Sequence, residues 1–161
     1  MRRTALILAA LARLAHADDD GHPAEKGTFG LGIILGEPTG ICGKLYLSDD
    51  QAIQAAVGAA FYGGGLQAHA DYVFHPWVIQ DRDTFVLPFY LGPGVRFIDY
   101  NEGRGADQHF ALGLRAVAGI LFDFKEVPLD VFVEVAGVLE WDFTNGVGGA
   151  FNAGAGIRYY F

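Results

Sequence analysis

From Thr28 onward, apolar and polar side chains alternate with a period of two, the pattern of strands whose two faces meet different surroundings. The last segment shows it best. Phe151, Ala153, Ala155, Ile157, Tyr159 and Phe161 share one face, and Asn152, Gly154, Gly156, Arg158 and Tyr160 share the other. Upstream, Val131, Val133, Val135 and Leu139 oppose Asp130, Glu134 and Glu140, and Phe110, Leu112, Leu114, Ala116 and Ile120 oppose Gly113, Arg115 and Gly119. Phe85, Leu87, Phe89, Leu91, Val95 and Phe97 oppose Tyr90, Gly92, Gly94 and Arg96. Ala68, Ala70, Tyr72 and Phe74 oppose Gln67, His69, Asp71 and His75, and Ile41, Leu45 and Leu47 oppose Cys42, Lys44 and Tyr46.

Turn chemistry separates these runs at 37–39, 48–50, 62–65, 76–83, 99–107, 125–128 and 142–148, where Gly, Pro, Asp, Asn and Ser gather. Seven breaks predict eight strands of roughly 8 to 14 residues in one all-β domain over residues 28–161. An antiparallel up-and-down barrel is the architecture that leaves such a sheet without free edges.

The faces decide which solvent surrounds the barrel. A soluble carrier would turn its aliphatic face inward and its charges to water. Here the polar face mixes glycine and alanine with isolated charges of both signs, a composition that suits the crowded inside of a narrow barrel. Lys44, Arg96, Arg115 and Arg158 stand against Asp71, Asp130, Glu134 and Glu140, so the charges balance. An interior network needs that balance, because an unpaired buried charge costs several kcal/mol. The expected interior set is therefore Lys44, His69, Asp71, Arg96, Arg115, Asp130, Glu134 and Arg158, with the aliphatic face in lipid.

The N-terminus agrees with export. Met1-Arg2-Arg3 is a positive leader, Thr4 to Ala12 a short apolar core, and Ala15-His16-Ala17 a small-x-small cleavage site, so residues 1–17 read as a signal peptide. The apolar stretch falls short of the ~20 residues a spanning helix needs, and Arg13 follows it. Residues 18–27, Asp-Asp-Asp-Gly-His-Pro-Ala-Glu-Lys-Gly, read as a flexible periplasmic leader. The chain is 52% hydrophobic, yet its charge of −8 grows more negative once the leader arginines are removed, which argues against nucleic acid as a partner. Its single cysteine, Cys42, rules out an intrachain disulfide.

The C-terminus carries the most specific motif. Gly156-Ile157-Arg158-Tyr159-Tyr160-Phe161, with glycine, alternating aromatics and a terminal Phe, resembles the strand by which outer-membrane barrels engage their assembly machinery. Gly154 stands where that pattern often has a polar residue. With this motif, residues 28–161 resemble the small eight-stranded families typified by the OmpA membrane domain and OmpX. The resemblance implies an integral outer-membrane protein, Gly156, Tyr159 and Phe161 as the assembly signal, outer-membrane lipids as partners, and both termini in the periplasm. The breaks at 37–39, 62–65, 98–108 and 141–148 then face outward. Tyr62, Tyr100 and Trp141 at that side, with Trp77 and Tyr159 at the other, are candidates for interfacial aromatic girdles.

Eight strands enclose an interior filled by side chains or one small ligand, so the expected function is non-enzymatic: envelope structure, surface interaction or minor solute passage. Two alternatives stand beside it. A lipid-modifying barrel enzyme needs a nucleophile and base at the outer rim, but the only serine after the leader, Ser48, falls at a periplasmic turn, and neither His75 nor His109 has an evident partner. A soluble carrier of an apolar ligand would require the opposite orientation of the sheet. His69, Asp71 and His75 share one strand face and suggest transition-metal ligation, with interior hydrogen bonding the plainer reading. Asp99, Glu102 and Asp107 are the acidic set of the longest outer loop, and acidic loops are ordinarily just solvated. No phosphate loop, zinc spacing or dinucleotide fingerprint occurs, and neither metal nor cofactor is expected.

Overall fold

The computed structural model describes residues 27–61, 64–100, 109–143 and 146–161. The predicted signal peptide and the leader up to residue 26 lie outside them, as do Tyr62, Glu102 and Asp107. Eight strands follow one another: β1 (Phe29–Gly36), β2 (Thr39–Ser48), β3 (Gln51–Ala59), β4 (Leu66–Asp81), β5 (Phe85–Tyr100), β6 (His109–Phe124), β7 (Leu129–Asp142) and β8 (Gly146–Tyr160). Each pairs antiparallel with the next, and β8 closes the barrel on β1. Closure leaves the described termini, the turns at 49–50 and 82–84 and the turn at 125–128 at one end, here the terminal end. The four other connections lie at the loop end.

Local chemistry explains the joints. At the β1–β2 turn Gly36 adopts φ +130°, a conformation L side chains rarely take, and Thr39 Oγ1 both accepts from the Gly36 N–H and donates to its carbonyl. The predicted break at 76–83 is too early. β4 continues through Pro76 to Asp81, and the turn is short, at 82–84. Two register shifts, between Phe74 and Trp77 and between Val78 and Gln80, admit the proline where the ladder is already interrupted. β5 likewise runs on through Asp99 and Tyr100.

The strands are unequal. β1 to β3 have 8, 10 and 9 residues, whereas β4 to β8 have 14 to 16. One side of the barrel is therefore a low wall. The interior also holds a larger apolar component than alternation suggests: Ile34, Val73, Val117, Leu121 and Phe132 form one buried cluster with Tyr90. Glycines opposite the bulkiest of these make room. A Cβ at Gly119 would overlap the Tyr90 ring of the neighbouring strand, and one at Gly156 would overlap Phe132.

Candidate functional site: the charged interior

Alternate positions of every strand point into the barrel, which brings ionic groups from distant parts of the chain to one axis. Lys44, His69, Asp71, Arg96, Arg115, Asp130, Glu134 and Arg158 are all buried there, together with Gln54, Gln67, Asn152, Tyr90 and Tyr160. They form three layers.

The middle layer is built on Arg115. Its Nη2 lies 2.7 Å from Glu134 Oε1, its Nε 3.0 Å from Asp71 Oδ1, and its Nη1 donates to Asn152 Oδ1 at 3.1 Å. Glu134 Oε2 accepts from Tyr90 Oη at 2.8 Å and from Gln54 Nε2 at 2.9 Å. One guanidinium thus ties β6 to β4, β7 and β8. Charge-assisted bonds of this kind are about twice as strong as neutral ones, and here they offset the desolvation of three ions.

Toward the loop end, Arg96 Nη2 lies 3.0 Å from Glu140 Oε2, and the Tyr100 hydroxyl accepts from Arg96 while donating to Glu140 at 2.7 Å. Tyr100 therefore turns inward and leaves the predicted girdle, because it shares the strand parity of Arg96 and Ile98. Toward the terminal end, Arg158 Nε lies 3.0 Å from Asp130 Oδ1, and Tyr160 donates to the other carboxylate oxygen. The Arg158 guanidinium also sits 4.1 Å over the Phe132 ring.

Lys44 departs from the expected salt-bridge network. No carboxylate lies within ion-pair distance of it among the described residues. Its Nζ instead meets His75 Nε2 at 2.8 Å and lies 4.8 and 5.0 Å from the ring centroids of Tyr46 and Tyr90. The geometry also separates the suggested metal set: His75 bonds Lys44, while His69 Nε2 lies 3.8 Å from Asp71 and 3.9 Å from Glu134. His69, Asp71 and Glu134 can bring ligand atoms within 4.8 Å of one another, and Arg115 already supplies the cation that pairs both carboxylates. Beside this layer a void of about 10 Å³, lined by Cys42, Gln54, His69, Glu134 and Arg158 among others, is about large enough for one water.

Of the terminal motif, Tyr159 and Phe161 point outward and meet edge to face at 5.1 Å, while Gly156 lies inside beneath Phe132. Ser48 Oγ donates to Asp50 Oδ1 at 2.8 Å. Sequence reasoning missed two participants. Gln54 was hidden because β3 carries alanine on both faces, at 52 and 56 inside and at 55 and 59 outside. Glu37 sits in a turn, where alternation gives no signal, yet it is largely buried and accepts the Phe61 N–H at 3.0 Å. Comparison with known proteins finds no matching family model, no matching curated protein and no matching solved structure.

Proposed function

We propose that the chain is an integral outer-membrane β-barrel, non-enzymatic, with a structural or surface-interaction role. The observation that carries this reading is the outer face. Every strand turns large apolar side chains outward, among them Ile33 (54% exposed), Val95 (57%), Leu114 (60%) and Val133 (55%). Water-soluble monomers rarely expose continuous apolar patches beyond a few hundred Å². Leaving one such side chain in water forgoes about 1.5–3 kcal/mol of burial, a loss that a hydrocarbon surround removes. Strands of 8 to 16 residues bracket the ~9–11 that a tilted spanning strand requires.

The filled middle layer supports a plugged barrel over a water-filled pore. The outward-facing Tyr159 and Phe161 support a terminal strand offered to assembly machinery, and the alternative of a soluble carrier would need the apolar groups inside. Trp77 and Trp141, both exposed on the outer surface, provide the test. In vesicles of brominated lipid their fluorescence should fall well below that in unbrominated vesicles, and planar bilayers should show no large stable conductance. Unquenched tryptophans would contradict the membrane reading, and a porin-like conductance would contradict the plug.

A further inference from the structure

The barrel wall has a gap at its loop end. β8 pairs with β7 from Gly146 to Tyr159, but with β1 only over Gly154–Tyr160. The last link on that side is the Glu37 N–H donating to the Ala153 carbonyl. Above it, among the described residues, the edge of β8 facing β1 has no strand beside it. A pocket of about 380 Å³ opens there, lined by Glu37, Arg96, Tyr100, Ala150, Phe151 and Asn152, within the size range of small-ligand sites.

We propose that this pocket holds a single-chain amphiphile, with its head against Glu37 and Asn152 and its tail leaving sideways through the gap into the surrounding lipid. The proposal rests on the membrane reading above. The rim is low on this side because β1, β2 and β3 all stop at one level, at Gly36, Thr39 and Ala59, so the pocket opens sideways toward the surrounding lipid, and its volume of about 380 Å³ suits one hydrocarbon chain rather than a two-chain lipid. The outer rim is apolar: Leu35 is 63% exposed and Phe151 67%, so a tail emerging there meets hydrocarbon.

The charges select the head. Arg96 is already neutralised by Glu140 at 3.0 Å, whereas the Glu37 carboxylate has only the Phe61 N–H as donor and no cation among the described residues. The lining is therefore net negative. A head that donates hydrogen bonds and carries no negative charge fits it; a carboxylate does not.

The test is native mass spectrometry of the protein in diacyl-phosphatidylcholine nanodiscs, with monolaurin and laurate as probes of equal chain length. A 1:1 monolaurin adduct is expected, with laurate at least about tenfold weaker, a difference of ~1.4 kcal/mol. Ala150→Trp, which fills the pocket, should abolish the adduct, and Glu37→Gln should bring laurate to within about threefold of monolaurin. Absence of a monolaurin adduct, its survival in Ala150→Trp, or laurate binding as well as monolaurin would overturn the proposal. Band shift on boiling is scored for each variant. A folded, membrane-retained barrel without the adduct removes this inference alone, whereas a chain that washes off membranes removes the membrane reading itself.

Discussion

The two faces of the barrel wall differ in opposite senses from those of a water-soluble protein. Inside, Arg115, Asp71 and Glu134 are buried and mutually paired; outside, Leu114, on the same strand and one residue away from Arg115, is 60% exposed. A single peptide unit therefore separates an ion held in a buried network from an aliphatic chain with no protein to cover it. Each face makes its own demand: the inner one needs its charges paired, and on the membrane reading proposed above the outer one is covered by hydrocarbon.

Breaking the inner face should have the largest effect. Arg115→Ala strands two buried carboxylates, and equilibrium unfolding in lipid vesicles should report a loss of about 3–5 kcal/mol, the usual result of removing one partner from a buried pair. Breaking the outer face comes next. Leu114→Arg should cost about 2–4 kcal/mol in the bilayer, as a cation near its midplane does. The same substitution on a water-facing surface would change stability by no more than about 0.5 kcal/mol, so this variant sharpens the contrast more than any other.

Smaller effects probe packing. Gly119→Ala drives a methyl group into the Tyr90 ring, and the strain should reduce stability by about 1–3 kcal/mol in the same assay. Asp49→Ala, in the β2–β3 turn and on neither face, should stay within about 0.5 kcal/mol. If Arg115→Ala and Asp49→Ala prove equivalent, the interior ions are not stabilising one another.

The period-two pattern made the barrel legible because a strand's side chains alternate by geometry, and a one-residue error in face would have moved every charge outward. Arg96, Arg115 and Arg158 were assigned to the inner face for that reason. Their partners were not readable from sequence. Arg115 reaches Asp71 and Glu134 across 44 and 19 residues of chain, distances that only barrel closure and stagger determine. Lys44 was placed on the correct face but in the wrong relationship, because its approach to His75, 31 residues away, is set by barrel closure and stagger rather than by the pattern within either strand. The continuation of β4 beyond His75 to Asp81 was obscured by Pro76, which reads as a break unless the ladder shifts around it. The loop-end pocket was invisible as well, since nothing in Glu37 or Ala150 announces that β1 stops while β8 continues.

The most direct test of the outward apolar face is extraction. Membranes from expressing cells are washed with carbonate or urea, and the protein is run on a gel with and without boiling. Retention in the washed membranes, with a band that migrates differently once boiled, is the predicted result. A protein released by the wash and unchanged on boiling would contradict the account, because the exposed belt of Ile33, Val95, Leu114 and Val133 would then be facing water.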